Sequence, residues 1–481
     1  MAAIILEKFR THNAREFIQD FTDSKKFIFI GRSHSWTDDN NPPAPANSEG
    51  EEIRAFEDMI ALKLVDGASD VSHGLVRYNW TPGTVYDEYR DDYSSSNLTP
   101  SGASNFFDGR GYVVTSDYKV YKCIKTPFSG GSPVAVSAGN EPSSTSTTAV
   151  ETTGDGYQWK FMYQISASDV IKFVTNDFIP VKTLGAQVKV AGSIGAFGQS
   201  GSTDGSAQYS VEAAAVDGAI DRYIITSAGS GYNNGSVNIP VEGDGSGAIA
   251  TLTFSGNALT DVTVNARGSG YKRASFPTID SNISGISGGS GATIKAVISP
   301  IHGHGANPIE ELGGNFVIVN SRLEFGDGAG DFPTDNDFRQ IGLIKNPEKS
   351  SDGSISGLGT MTATNKITLD DASAISVDDI ITSDTTNNAS TKRARVVSKS
   401  GNVLRTITIA NGGGEFVDFA ATDDVFKNAS GSKITDVASG GVDSTHPEMS
   451  RFSGEILYVE NRGPVSRAAD QIEDIKLIIE M

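Results

Sequence analysis

The stretch Ser453–Met481, SGEILYVENRGPVSRAADQIEDIKLIIEM, decides how this chain must fold. Ile456 and Tyr458 alternate with polar neighbours, and so do Ile475, Leu477 and Ile479. Alternation with period two marks strands with one buried face. Termini are ordinarily the loosest part of a domain. A terminal strand with a buried face needs partners from distant sequence, so the fold is expected to close over long separations.

Composition agrees. The chain has 481 residues, 37% hydrophobic and 20% charged, with 53 glycines against 17 prolines. That length predicts several modules. Short apolar runs punctuated by Gly, Ser, Thr and Asn predict a turn-rich β protein. Net charge is -20, which disfavours nucleic acid as main ligand and argues against adhesion to anionic lipid. No stretch reaches membrane-spanning length, and the N-terminal apolar run is too short for a signal peptide. The single Cys123 excludes an intrachain disulfide and a thiolate cluster, and its strand context predicts a buried thiol.

Residues 1–185 carry most of the long apolar and aromatic side chains. Asn13 with Glu16, and Ser48 with Glu51, have capping-box spacing. The first introduces Phe17, Ile18 and Phe21; the second introduces Ile53, Phe56, Met59 and Ile60 at helical period. Strands are expected at 26–30, 75–80, 111–124 and 157–165. Between the first strand and the second helix runs GRSHSWTDDNNPPAPAN, a long polar loop suited to contacts.

At about residue 186 the composition turns to small residues, and a repeat appears. DGAIDRYIITSAGSGY (217–232) answers GNALTDVTVNARGSGY (256–271), with Tyr232 and Tyr271 39 residues apart. Each copy continues through an X-Pro step to a glycine run and a strand, so two copies are expected to pack into one module. Residues 351–445 read as a second small β module, with strands near 366–369, 393–397 and 404–409. Core-like sequence lies between and after the modules. The expected fold is thus mainly β: a discontinuous core (1–185, 301–350, 446–481) with a few short helices and two inserted small β domains (186–300, 351–445).

Motifs for chemistry are weak. His302 and His304 flank one glycine, and an extended backbone would offer both imidazoles to zinc, yet the setting is loop-like. Asp327, Asp331, Asp335 and Asp337 supply oxygens without EF-hand order, so a solvated acidic loop is expected. Gly285–Gly289 fits G-x-S-x-G but lacks a strand-to-helix elbow. No catalytic residue, metal or cofactor is expected. Trp80 and Trp159 read as core; Trp36 fits a contact surface as well as a core.

Four segments in order, FIFIGRSHSWTDDNNPPAP, DGYQWKFMYQISASDVIKFVTNDFIPV, DFRQIGLIKNP and SGEILYVENRGPVSRAADQIEDIKLII, resemble the gene product eight family of baseplate wedge subunits in T-even-like contractile-tailed phages. The resemblance covers roughly 1–185, 301–347 and 446–481. It implies that the discontinuous core is a β-sandwich, and that the chain is a non-enzymatic structural protein of the virion tail baseplate, made in the host cytoplasm. It also implies a homodimer that touches other baseplate wedge proteins and helps relay the change that triggers sheath contraction. Arg32, Trp36, Asn461 and Arg462 match the family pattern and are the candidate interface residues; for Asn461 and Arg462 a hydrogen-bonded corner between strands fits equally. A receptor- or glycan-binding tail protein is the alternative, supported by the β-rich Gly, Ser, Thr and Asn middle; against it, the modules carry few aromatics for sugar stacking beyond Tyr223, Tyr232 and Tyr271. A polysaccharide-degrading enzyme is the remaining rival, with no carboxylate pair singled out.

Overall fold

A computed structural model describes residues 4–185, 206–324, 332–428, 430–468 and 471–481. The protein is mainly β, with several sheets and short helices. It divides into two compact units, one of residues 1–15, 72–318 and 478–481, the other of 16–71 and 319–477.

The second unit is built on an antiparallel sheet in the order Thr360–Thr362, Met59–Leu64, Lys26–Gly31, Asn336–Lys345, Glu455–Arg467. Neighbours in space therefore come from the beginning, middle and end of the chain. Lys26–Gly31 is buried at every position, as its unbroken run of apolar residues predicts for a central strand. Phe27, Phe29, Met59, Leu62, Ile344 and Met361 pack in one cluster. Gly342 makes room for it: a Cβ there would lie 2.2 Å from the Phe29 ring. Helix Glu49–Asp58 starts as the capping box requires, with Ser48 accepting from the Glu51 N–H. It stops before Met59, which opens the next strand, because Met59 and Ile60 fit the unbroken apolar start of a strand buried at its first four positions as well as the helical period. Asn13 caps nothing; it lies inside helix Glu7–Asp23.

Six further strands of this unit close a barrel in the order Asn365–Leu369, Val403–Thr408, Arg393–Ser400, Ile380–Thr382, Asp424–Lys427, Ser430–Val442. Closure removes exposed edges. Ile367, Leu369, Ile381, Val396, Leu404, Phe419 and Val425 fill the interior.

In the first unit, Tyr112–Val114, Lys119–Lys125, Gln158–Gln164 and Glu151–Thr152 form a sheet. Trp159 is fully buried in its core, stacked on Tyr157 at 5.5 Å, with Cys123 in the same cluster. Burial pushes the Cys123 thiol up, so it is held as a neutral apolar group.

The repeat lies in this unit, and its two copies interlock. Ile220–Tyr232 of the first copy pairs with Gly288–Ile298, the last strand of the second. Ala258–Ser269 of the second pairs with Ser246–Ser255, the last strand of the first. Equivalent atoms repeat the same contacts. The Tyr232 hydroxyl donates to Ile279 O (2.6 Å) and accepts from Ala292 N–H (3.1 Å). The Tyr271 hydroxyl donates to Val241 O (3.1 Å) and accepts from Ala248 N–H (3.4 Å). Gly229 and Gly268 both sit at φ 62°, a left-handed backbone that glycine adopts without a Cβ clash. The Gly-Ser-Gly-Tyr motif is thus the kinked end of a long strand rather than a turn between two short ones. Core residues of both copies form one cluster.

Candidate functional site

The loop after Lys26–Gly31 is held against the Glu455–Arg467 strand, and all four interface candidates take part. Arg32 adopts a left-handed φ of 58°. Its guanidinium donates to Asp58 (3.0 Å) and lies 3.6 Å from the Trp36 ring centre, a stacked cation–π contact. The Trp36 indole N–H donates to the Arg462 carbonyl at 2.8 Å. Asn461 accepts from Gln340 Nε2 (2.9 Å) and donates to the Pro43 carbonyl (3.0 Å). Arg462 pairs with Glu460 (3.4 Å), its side chain 43% exposed.

Asn461 and Arg462 do not form a corner between strands. They lie within Glu455–Arg467, where pairing shifts register between Phe338–Val465 and Gln340–Asn461. Arg462, Gly463 and Pro464 face Arg339 alone across that break. Pro464 has no N–H for the ladder, so the strand bulges there. The Gly-Pro pair was the legible signal of this bulge.

Arg339 was not among the candidates, yet it organises the loop. Its side chain is 5% exposed. It holds Asp39 through two bonds of 3.0 Å, reaches Asp337 at 3.1 Å, and donates to the Ser33 carbonyl. Asp39 in turn accepts from the Trp36 backbone N–H at 2.7 Å. The Arg339 guanidinium, and then the Trp36 N–H, hold the Asp39 carboxyl below its ordinary range. A fork of donors fixes a carboxylate in two dimensions, so one buried arginine sets the path of residues 33–39. The sequence did not single it out, because Asn336, Asp337, Gln340 and Lys345 of the same strand are polar too.

Beside it sits His34, whose pKa is pushed down to about 3 by burial and by Arg395, Arg32 and Arg339. Asp58 is raised, because burial outweighs Arg32. Ser33 Oγ, His34 Nδ1, Arg32 Nε and Gln340 Oε1 are buried without a hydrogen bond. The loop is thus anchored firmly but carries unused polar capacity. Trp36 is half-buried, between the core and contact readings.

The other motifs resolve otherwise. His302 and Gly303 sit at φ 71° and 93°, so the two histidines are not on an extended strand. His304 instead lies between two carboxylates, 2.7 Å from Glu311 and 2.6 Å from Asp221. Glu311 also accepts from buried Lys122 at 2.7 Å and from the Gly305 N–H at 2.6 Å. This is an internal ion network. No group of three metal-binding side chains occurs among the described residues. Ser287 accepts from Asn233 and has no elbow geometry. Asp337 belongs to the Arg339 cluster, Asp335 donates its backbone N–H to Arg467 O, and Asp327 and Asp331 lie outside the described residues. Tyr223, Tyr232 and Tyr271 are buried, which removes them as a sugar-stacking surface.

No family model matches the sequence. Among curated proteins the chain is similar to the baseplate wedge protein gp8 of Enterobacteria phage T4, 26% identical over 211 residues. The matched region is 37% of this chain and spans 60% of the length of that relative. The similarity is to a structural protein of a phage tail baseplate. No helix among the described residues is long and apolar enough to cross a membrane.

Proposed function

We propose that the protein is a non-enzymatic structural component of a phage tail baseplate wedge. It works as a homodimer in the virion, links neighbouring wedge proteins and relays the baseplate change that triggers sheath contraction. The similarity to a baseplate wedge protein carries the reading. Supporting it, the motif residues Arg32, Trp36, Asn461 and Arg462 converge on one anchored loop. In this reading Arg339, Asp39 and Asn461 hold the loop from behind. Trp36 and Arg462 present its outer side to a partner, since aromatic and arginine anchors dominate protein interfaces. The stretches 186–300 and 351–445 are additions to a shorter core and decorate it.

Co-assembly tests the reading. The purified chain is expected at twice 50.6 kDa by light scattering and to form a larger species with the other wedge proteins of its phage. Trp36→Ala is expected to keep the wild-type circular dichroism spectrum and dimer mass while losing that species. Failure of the wild-type chain to join any wedge protein refutes the function. Unfolding of the variant assigns Trp36 to the core.

A further inference from the structure

The closed barrel holds a cavity of about 120 Å³ at one end. It lies where Asn365–Leu369 begins, with the ends of Val403–Thr408 and Ser430–Val442 on either side. One water needs roughly 10–15 Å³ of such space, so part of a larger molecule fits, and barrel mouths commonly hold small ligands. The wall is polar, and its hydrogen bonds are unevenly shared. Asp418 accepts from Asn365 Nδ2 (3.0 Å), from Arg451 (3.2 Å) and from the Thr408 hydroxyl, all on Oδ1. Its Oδ2 has no hydrogen bond among the described residues. Asp443 Oδ2 accepts from Lys366 (3.1 Å) and pairs with His446 Nδ1 (3.2 Å). A carboxylate only accepts, so Nδ1 carries the hydrogen, and in the neutral ring Nε2 is then an acceptor. That Nε2 and the Ser444 hydroxyl have no partner among the described residues.

A second observation adjoins the cavity. Thr408 also lines a neighbouring hollow together with Arg451 and Phe452. Phe452 is 41% exposed and sits at a φ of 62°. A bulky side chain on left-handed backbone is an outlier, and such strain collects at functional sites. The ring is held in place by T-shaped contacts with Phe56 (5.9 Å) and Phe416 (5.5 Å). Arg451, which bonds Asp418, lies 5.4 Å from the Phe416 ring centre, so the aromatic group and the polar wall are tied together.

We propose that this end of the barrel binds a neutral hexopyranose, either a free sugar or the last residue of a glycan chain. The open atoms are mostly acceptors: Asp418 Oδ2, His446 Nε2 and the Ser444 hydroxyl. Neighbouring sugar hydroxyls bring the donors that such a set requires, and the apolar C–H side of the ring packs on Phe452. Other ligand classes fit less well. An anion brings acceptors and meets Asp418 and Asp443. A metal ion meets Lys366 and Arg451, and no group of three metal-binding side chains occurs among the described residues. A peptide strand finds no free edge on a closed barrel. An apolar ligand leaves the open acceptors dry and unpaired. The wedge reading gives the barrel no ligand, and the site stands or falls apart from it.

Saturation-transfer NMR on the full chain tests the site. Glucose, galactose and mannose are offered as free sugars and as methyl glycosides, with adenosine as a control. Transfer to at least one sugar is expected. Transfer to a methyl glycoside identifies a chain end as the ligand, and transfer to the free form alone identifies a free sugar. Asp418→Asn keeps the side-chain shape and removes the open acceptor, so it is expected to weaken binding roughly tenfold or more. Phe452→Leu keeps apolar bulk without the ring and is expected to weaken it about threefold to tenfold. No transfer to any of the sugars overturns the proposal, and transfer to adenosine alone overturns the ligand class. Wild-type affinity in a folded Asp418→Asn overturns the site. If that variant loses the wild-type circular dichroism spectrum, the His446 ring resonance of the wild-type chain decides: a shift on adding the bound sugar supports the site and an unmoved resonance overturns it.

Discussion

Replacing Lys122 by Met removes a buried cation and keeps the apolar volume of its stem. Lys122 Nζ lies 2.7 Å from Glu311, with side-chain exposures of 0% and 4%, and 4.1 Å from the Tyr89 ring. Burial alone would raise the Glu311 pKa; the charge of Lys122, then the hydrogen bond from His304, bring it from the ordinary 4.5 down to about 2. At ~1.4 kcal/mol per pH unit, that depression corresponds to roughly 3 kcal/mol. Breaking one side of a buried pair costs about 3–5 kcal/mol. Burial also lowers the pKa of Lys122 itself, which offsets part of the gain, and His304 remains as a partner. We therefore expect a loss of about 3 kcal/mol. Amides of Lys119–Lys125 and Pro308–Leu312 should then exchange with deuterium roughly a hundredfold faster, at ~1.4 kcal/mol per tenfold. The pH dependence follows from the direction of the shift. A depressed carboxylate contributes stability that is complete above 4.5 and is lost as pH falls toward 2. In the variant Glu311 protonates at higher pH, so this contribution shrinks and its loss moves upward. Unchanged exchange in both segments, with an unchanged acid transition, would refute the reasoning and make the pair energetically neutral.

Other outcomes follow from the same geometry. His34, at about 3, is neutral in the fold and protonates more readily once unfolded. Its contribution is present above 6.5 and is lost as pH falls toward 3, so His34→Gln should flatten the acid sensitivity of the 16–71 and 319–477 unit, read by exchange at pH 4 against pH 7. In the repeat, Tyr232→Phe removes two bonds of 2.6 and 3.1 Å, and Tyr271→Phe two bonds of 3.1 and 3.4 Å. Each should destabilise the module by about 1–2 kcal/mol, Tyr232→Phe by more. Equal exchange rates for both variants and wild type would show the shared hydroxyls to be replaceable by water.

Strands with strict alternation or unbroken apolar runs were legible in the sequence: Lys26–Gly31, Gln158–Gln164, Arg393–Ser400 and the terminal strand, whose Ile475 and Leu477 are buried. The Ser48 cap was legible because its Glu sits at the required spacing and an acidic first turn follows. The Asn13 signal failed because the same residue types occur inside a helix when tertiary packing supplies the start elsewhere. The interlocking of the repeat was hidden, since similarity between copies says nothing about which copy pairs with which. Arg339 was hidden for a related reason. A lone arginine in a strand gives no hint that its partners, Asp39 and Ser33, arrive from 300 residues away.

That distance bears on how the candidate site works. Its ring contact, Arg32 on Trp36, is local in sequence and Asp58 lies 26 residues on, while three other anchors come from far away: Arg339, Asn461 and the Arg462 carbonyl. A loop assembled this way reports on the integrity of the sheet beneath it. If the strand Glu455–Arg467 shifts at its bulge, the Trp36 indole loses its acceptor and the Pro43 carbonyl its donor together. Asn461→Ala isolates this coupling, because it removes the two side-chain bonds and leaves the Arg462 carbonyl in place. It should raise deuterium exchange along residues 33–43 while leaving Lys26–Gly31 protected. Protection of the loop equal to wild type would refute the coupling through Asn461 and leave Arg339, Asp58 and the Arg462 carbonyl as the anchors that hold it.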